Sequence, residues 1–309
     1  MANDLLTVSD FVADALDVDK TTTSEVLNRA NLVGVLPIGD TSDGSETHKY
    51  NVYTGEPVVG FRALNAGRDY DHSIDTVNTV ACKILDFSWR VDYAAANAWR
   101  QGAEDLIARE GARHLAAALF ALEKQCIYGT VSPGDSAGFS GFLNNTNLDA
   151  LADDMCISAG GSTVSEQSSV YGFLTGFNDC RLVTPMDQGV TLGETIVTEA
   201  NDTNHPVYYT PASLYIGFQM GGKYSVGRLS NVSTTTDSKP LSDDLMSDLL
   251  ELFPVDPHHW LMNRKRRKDL QSGRTATNAT GAEAPRPTEY EGIPITVTEA
   301  ITNTEAVEA

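Results

Sequence analysis

Cysteine, tryptophan and positive charge are all scarce in this sequence, and long apolar runs are missing. Its four cysteines (Cys82, Cys126, Cys156, Cys180) lie far apart with no C-x-x-C pair, which excludes the usual zinc and dithiol motifs and points to buried free thiols. The longest wholly apolar run, Leu115 to Leu122, is eight residues, whereas a bilayer needs about twenty, so no membrane partner is expected. The opening stretch MANDLLTVSD carries Asp4 where a secretory signal has Lys or Arg, so export by that route is not expected. Only 22 bases stand against 42 acids, a net charge of −20. Such a chain is no general nucleic-acid binder, because phosphate affinity needs clustered Lys and Arg.

What remains is ample material for a core: 309 residues with 41% hydrophobic content, enough for one large or two ordinary domains. Leu5, Val8, Phe11, Val12 and Leu16 have the spacing of a short amphipathic helix. Two stretches rich in β-branched residues, 46–55 and 74–81, are punctuated by Gly44, Gly55, Pro57, Gly60 and Gly67. They read as a long hairpin with little to bury by itself, which must pack on something outside its own domain. From 92 to 126, Trp99, Ala103, Ile107, Gly111, Leu115, Leu119 and Leu122 recur at helical spacing, predicting one strut of about 50 Å, with Asp105 and Arg109 as an i,i+4 pair. A β-rich block follows from 168 to 229. Leu241, Leu245, Leu249 and Phe253, with Asp243 and Asp244 in the first turn and Pro254 at the end, mark another amphipathic helix. A loop over 271–287, a strand in GIPITVTEAI and an acidic tail close the chain. Helices and strands come in blocks, so the class is α+β.

The sequence offers weak chemistry. GDSAG at 134–138 has the G-x-S-x-G spelling of an esterase nucleophile elbow, with Ser136 as nucleophile. Such an elbow needs a strand before it and a helix after it, yet Pro133 precedes it and glycine-rich GFSGF follows. GFQMGGKY at 217–224 has Tyr224 where a phosphate loop needs Ser or Thr. His258 and His259 are adjacent and cannot share a helix face as metal ligands do. Neither a catalytic group nor a cofactor or metal is expected. Arg264, Lys265, Arg266, Arg267 and Lys268 form one basic run, leaving seventeen bases for the rest. It reads as a solvated helix face, a partner for acids elsewhere in an assembly, or a phosphate contact.

The order of parts, together with LVGVLPI, EPVVGFRALNAGRDYDHSIDTV, LFALEKQCIYGT, GFSGFLNN, SSVYGFLTGF, VGRLSNV, WLMNRKRRKDL and GIPITVTEAITNTE, resembles the major capsid proteins of tailed bacteriophages. That resemblance implies the Hong Kong 97-like fold, shared with encapsulins. It implies an N-terminal arm over 1–34, an extended E-loop over 35–86, and a peripheral domain over 87–239 with its spine helix at 92–126. An axial domain with the C-terminal strand would cover 240–309, in a topology permuted by the late Gly-x-Pro strand. The implied role is a head shell of hexamers and pentamers around double-stranded DNA, part of the virion and assembled in the host cytoplasm. Implied partners are further copies of itself, a separate scaffolding protein (no scaffold segment precedes the flap), a portal protein, a decoration or cement protein, and weakly held DNA. Lys49, Arg62, Asn65, Arg68, Trp260, Arg264 and Arg266 are the expected contacts between subunits, and Lys49 or Lys83 stands where some relatives carry a cross-linking lysine. The alternatives are an encapsulin-like compartment, a GDSAG esterase, or a shell-decorating or tail protein.

Overall fold

The computed structural model describes residues 30–308, apart from 70, 149, 152, 186–189, 200–204 and 279–281. The amphipathic spacing at 5–16 therefore lies outside the described residues.

Strands β2 (Thr47–Gly55) and β3 (Ile74–Ala81) pair antiparallel with each other alone. Their side chains are mostly exposed, as β-branched alternation without bulky core residues dictates. Strands β1 (Ile38–Asp40) and β4 (Lys83–Asp86), on either side of the hairpin, belong to the body. They form a five-stranded sheet with β8 (Cys180–Thr184), β9 (Val190–Leu192) and β12 (Ala212–Met220). A three-stranded sheet joins β5 (Trp89–Asp92), β10 (Ile196–Glu199) and β11 (Pro206–Thr210).

The largest sheet runs β15 (Glu289–Tyr290), β16 (Ile293–Val297), β14 (His259–Met262), β7 (Ser168–Phe173), β13 (Val226–Val232), β6 (Cys156–Ser158). It joins strands from both sides of the 239/240 boundary read from the sequence, because strand pairing is set by long-range packing and not by order along the chain. Every residue of β7 and β13 is buried. Gly172 and Gly227 pair across these strands, and a Cβ on either would run into Trp260 or Phe253. Glycine there lets two large rings close the core.

The strut is two helices, not one: α1 (Tyr93–Ala98) and α2 (Ala103–Tyr128). Trp99 turns to extended backbone and Gly102 has φ +96°, a conformation only glycine adopts cheaply. The break lets Trp99 pack with Val91 and Leu106 in a small second core. Asp105 and Arg109 serve that ring: Trp99 Nε1 donates to Asp105 Oδ2 at 3.4 Å and the Arg109 guanidinium lies 5.0 Å over it. Leu115, expected to be buried, is exposed, while Leu106, Ala118, Leu122 and Cys126 carry the buried face. The carboxyl half of α2 supplies much of the main core, and its amino half packs through Leu106 on the small second core.

Helix α3 (Asp243–Glu251) starts at Ser242, whose side chain accepts from Leu245 N–H, and buries Leu249, as its spacing predicts, together with Met246, while Leu245 is half-buried. Helix α4 (Arg264–Thr277) begins with Asn263 as its cap and runs through the stretch 271–277 read as loop. Arg274 explains the difference, since its Nε and Nη2 grip the Asp243 carboxylate at 2.7–3.1 Å and hold the last turns against α3.

Gly129 ends α2 at φ +57°, ψ −128°, and a Cβ there would fall on Asn144 Oδ1 and the Gly141 amide. Gly129→Ala is expected to cost about 3 kcal/mol or more, combining backbone strain with a clash that cannot relax. A urea midpoint unchanged from wild type would contradict this reading of the turn.

Candidate assembly surfaces

The described residues of the hairpin tip, 56–69 and 71–73, form no helix or strand and are mostly exposed. Phe61 is 108% and Leu64 is 92% exposed, with Val58 and Val59 also out in solvent. Arg62 Nη1 donates to Ala66 O at 3.3 Å and Arg68 Nη1 to Gly60 O at 3.2 Å, so each arginine stiffens the tip from within. Neither has a carboxylate partner among the described residues. Asn65 takes φ +61° at the turn between them. The fold thus brings Arg62, Asn65 and Arg68 together at the end of a projecting arm, with Lys49 exposed partway along it and Lys83 exposed at its base. Sequence reasoning picked the tip's charges and missed its apolar residues. The signal was available in VVGFRAL, a run with no strand partner to cover it.

Among the described residues, side-chain hydrogen bonds fasten the hairpin to the body near its root. His48 is buried, its Nδ1 accepting from Ser42 N–H at 3.0 Å and its Nε2 lying 2.8 Å from Gln219 Oε1 and 3.1 Å from Arg181 Nη2. Burial holds His48 below the ordinary histidine range; the Gln219 bond opposes this and Arg181 adds to it. Tyr50 O–H donates to Gly221 O at 3.4 Å, a further tie between the arm and the β12 end of the body sheet.

A second fastening holds the point where the chain leaves for its N-terminus. Glu123, buried on α2, accepts from Leu32 N–H at 2.8 Å and from the Thr298 hydroxyl, while Asn31 Nδ2 donates to Val297 O at 2.6 Å. Burial holds the Glu123 carboxyl above the ordinary glutamate range, against the pull of those bonds. A folded pKa above the unfolded value means the native state binds the extra proton. Its stabilising share is therefore present at low pH and is lost as pH rises from about 4.3 through the raised value. Glu123→Gln is expected to flatten that decline, and unfolding curves that keep the wild-type slope between pH 4 and 7 would contradict it.

GDSAG does not form a nucleophile elbow. Helix α2 and the turn at Ser132-Pro133 precede it, and a 3-10 turn over Phe142–Asn144 follows. Gln125 clamps the loop: its Nε2 donates to Asp135 O at 3.1 Å and Phe139 O at 2.6 Å, and its Oε1 accepts from Asp135 N–H at 2.9 Å. Ser136 is an exposed turn residue in a loop that ties the end of α2 down. His258 hydrogen-bonds to Thr175, and among the described residues no cluster of His, Cys, Asp or Glu could hold a metal ion. All four cysteines are free and buried.

Two expected contact residues face inward. Trp260 is fully buried in β14, edge-on to Tyr290 at 6.1 Å. Arg266 is also fully buried, donating to Val232 O and the Thr234 hydroxyl at 3.2 Å and pairing with Asp269 at 3.2 Å. Their place inside the protomer corrects the expectation that they touch a neighbour: the basic run starts a helix, and helical geometry turns its third residue to the core. Arg264 is exposed and pairs with Glu299 at 2.9 Å.

Two acids of the C-terminal tail also face inward. Glu305 is buried and accepts from Tyr128 O–H and Ser169 O–H, both at 2.6 Å. Glu308 pairs with buried Arg228 at 2.7 Å.

The family model described as Major capsid protein GP7 matches residues 19–308. No curated protein sequence matches the chain. Among solved structures, that of Bacteriophage Epsilon15 aligns over 100% of this chain and 98% of its own, with TM-score 0.65 and 18% identity. The Bacteriophage JBD30 capsid aligns over 93% of this chain and 97% of its own, with TM-score 0.51 and 11% identity. The capsid of Myoviridae Phage XM1 covers 69% of this chain and 95% of its own, with TM-score 0.50 and 8% identity.

Proposed function

The chain belongs to the major capsid protein GP7 family, and from that premise we propose how it builds a shell. It is a major capsid protein of tailed phages with the Hong Kong 97-type fold. Copies join as hexamers and pentamers, the hairpin of one lying across its neighbour. The observation that carries this is the tip: large apolar side chains held fully in solvent on an arm that has no core of its own. Exposed apolar patches of this kind mark interaction sites, and a two-stranded arm gains stability only by packing on something else.

Val58, Val59, Phe61 and Leu64 supply the apolar contact, and Arg62 and Arg68 sit among them as partners for a neighbour's carboxylates. Exposed pairs add only about 0.2–1 kcal/mol each, but they recur at every contact and offset repulsion between copies of net charge −20. The shell does no catalysis and encloses double-stranded DNA, which its acidic surface holds weakly. A separate scaffolding protein, a portal and a decoration protein are its proposed partners. Assembly takes place in the host cytoplasm.

Native mass spectrometry of the purified protein at low salt tests the oligomer. Five-fold and six-fold species are expected. A stable dimer with no larger form would count against capsomer assembly.

A further inference from the structure

Most arginines of the α4 region are neutralised within the chain. Arg264 pairs with Glu299, Arg266 with Asp269 and Arg274 with Asp243. Arg267, Lys268 and Arg286 are different: among the described residues none of their side chains makes a hydrogen bond or ion pair, and Lys268 has only the field of Asp269, which Arg266 already pairs. Burial, and then the like charges of Arg286 and Arg264, hold Arg267 below the ordinary arginine range. In a chain with 42 acids for 22 bases, a cluster of bases left to repel one another points to an anion that the single protomer does not supply.

Helix α3 carries the matching surface. Asp244, Asp248 and Glu251 are exposed at i, i+4 and i+7, one stripe of the helix, while Met246 and Leu249 are buried. None of the three acids has an ion pair among the described residues. The Arg274–Asp243 bridge ties α3 to α4, so every copy presents both an unpaired basic patch and an unpaired acidic stripe on one block. Within a chain the two do not pair. Between copies they can, head to tail, and a contact of that kind closes into a ring when the rotation allows.

We propose that Arg267, Lys268 and Arg286 of one copy dock on the Asp244–Asp248–Glu251 stripe of the next copy around the ring. This rests on the reading of the chain as a self-assembling shell protein. Nucleic-acid phosphate is the weaker occupant, because three bases on a strongly acidic protein give little counterion release against a polyanion.

The test uses full-length chains carrying Arg267→Glu with Arg286→Glu, Asp244→Lys with Asp248→Lys, or all four changes together. Sedimentation measures assembly at about 0.15 M salt, and circular dichroism with thermal melting checks folding. Like charges facing each other across a contact cost several kcal/mol, so each single-patch reversal is expected to lower the sedimenting fraction at least about tenfold. The fourfold variant is expected to recover to within about twofold of wild type. Should a reversal fail to fold, Arg267→Gln with Arg286→Gln is expected to assemble about threefold less well and to lose much of the wild-type salt dependence. Folded single-patch variants that assemble like wild type overturn the proposal, as does a folded fourfold variant that stays unassembled or a Gln variant with unchanged salt dependence. Normal shells with reduced DNA content also overturn it and assign the patch to phosphate. Wild-type protein that never assembles overturns the shell reading itself and this inference with it.

Discussion

Phe61→Ser combined with Leu64→Ser is expected to give a folded protomer that no longer forms shells at the wild-type concentration. Both side chains are fully in solvent, so the protomer loses almost none of its own packing and its stability should move by less than about 0.5 kcal/mol. On a neighbour, burying a Phe or a Leu contributes about 1.5–3 kcal/mol each. Losing both raises the concentration needed for each contact by more than about a hundredfold, and the deficit recurs at every subunit. Size exclusion of the double variant should show small oligomers, with a melting curve matching wild type. Shells at the wild-type concentration would mean that the tip is not the anchor. Arg62→Gln and Arg68→Gln together should do much less, since an exposed ion pair with a neighbour contributes only about 0.2–1 kcal/mol.

The second large effect lies in the core. Arg228 is 2% exposed in β13, and its guanidinium reaches Ser169 Oγ at 3.1 Å, Leu148 O at 3.0 Å and Glu308 Oε2 at 2.7 Å, with Glu305 Oε2 at 4.0 Å. The cluster fixes the last residues of the chain to the central strands. Arg228→Met keeps the volume but leaves Glu305 as a buried carboxylate without its counter-charge, a change that costs about 3–5 kcal/mol. Burial already holds Glu305 above the ordinary glutamate range, and without Arg228 it is pushed further. The native variant therefore takes up a proton more readily than the unfolded chain. Its deficit should be largest near pH 8 and shrink toward pH 5 as Glu305 is protonated. Adding Glu305→Gln to Arg228→Met should recover part of the loss. A urea midpoint for Arg228→Met within about 1 kcal/mol of wild type at pH 8 would contradict this account.

The sequence made the local features legible. Alternating β-branched residues marked the hairpin, and two acids ahead of a Leu spacing marked α3. In each, the residues that decide the element are its own neighbours along the chain. What stayed hidden depends on distant partners. Trp99 continued a helical spacing convincingly, yet a core built from Val91 and Leu106 turned it out of the helix. Glu305 and Glu308 showed in the sequence only as part of an acidic tail, because their partners, Arg228 and Tyr128, lie 77–177 residues away. Arg266 was one base in a run of five, and only the placement of α4 against β13 selects it for burial. The apolar tip failed for the opposite reason: Phe61 and Leu64 have no partner in the protomer at all.

Negative-stain microscopy with sedimentation, on the protein alone and then with a co-expressed scaffolding protein from the same genome, tests self-assembly most directly. Closed polyhedral particles of uniform diameter are the predicted result, and that diameter fixes the number of copies. A monodisperse monomer or dimer under both conditions would contradict the account.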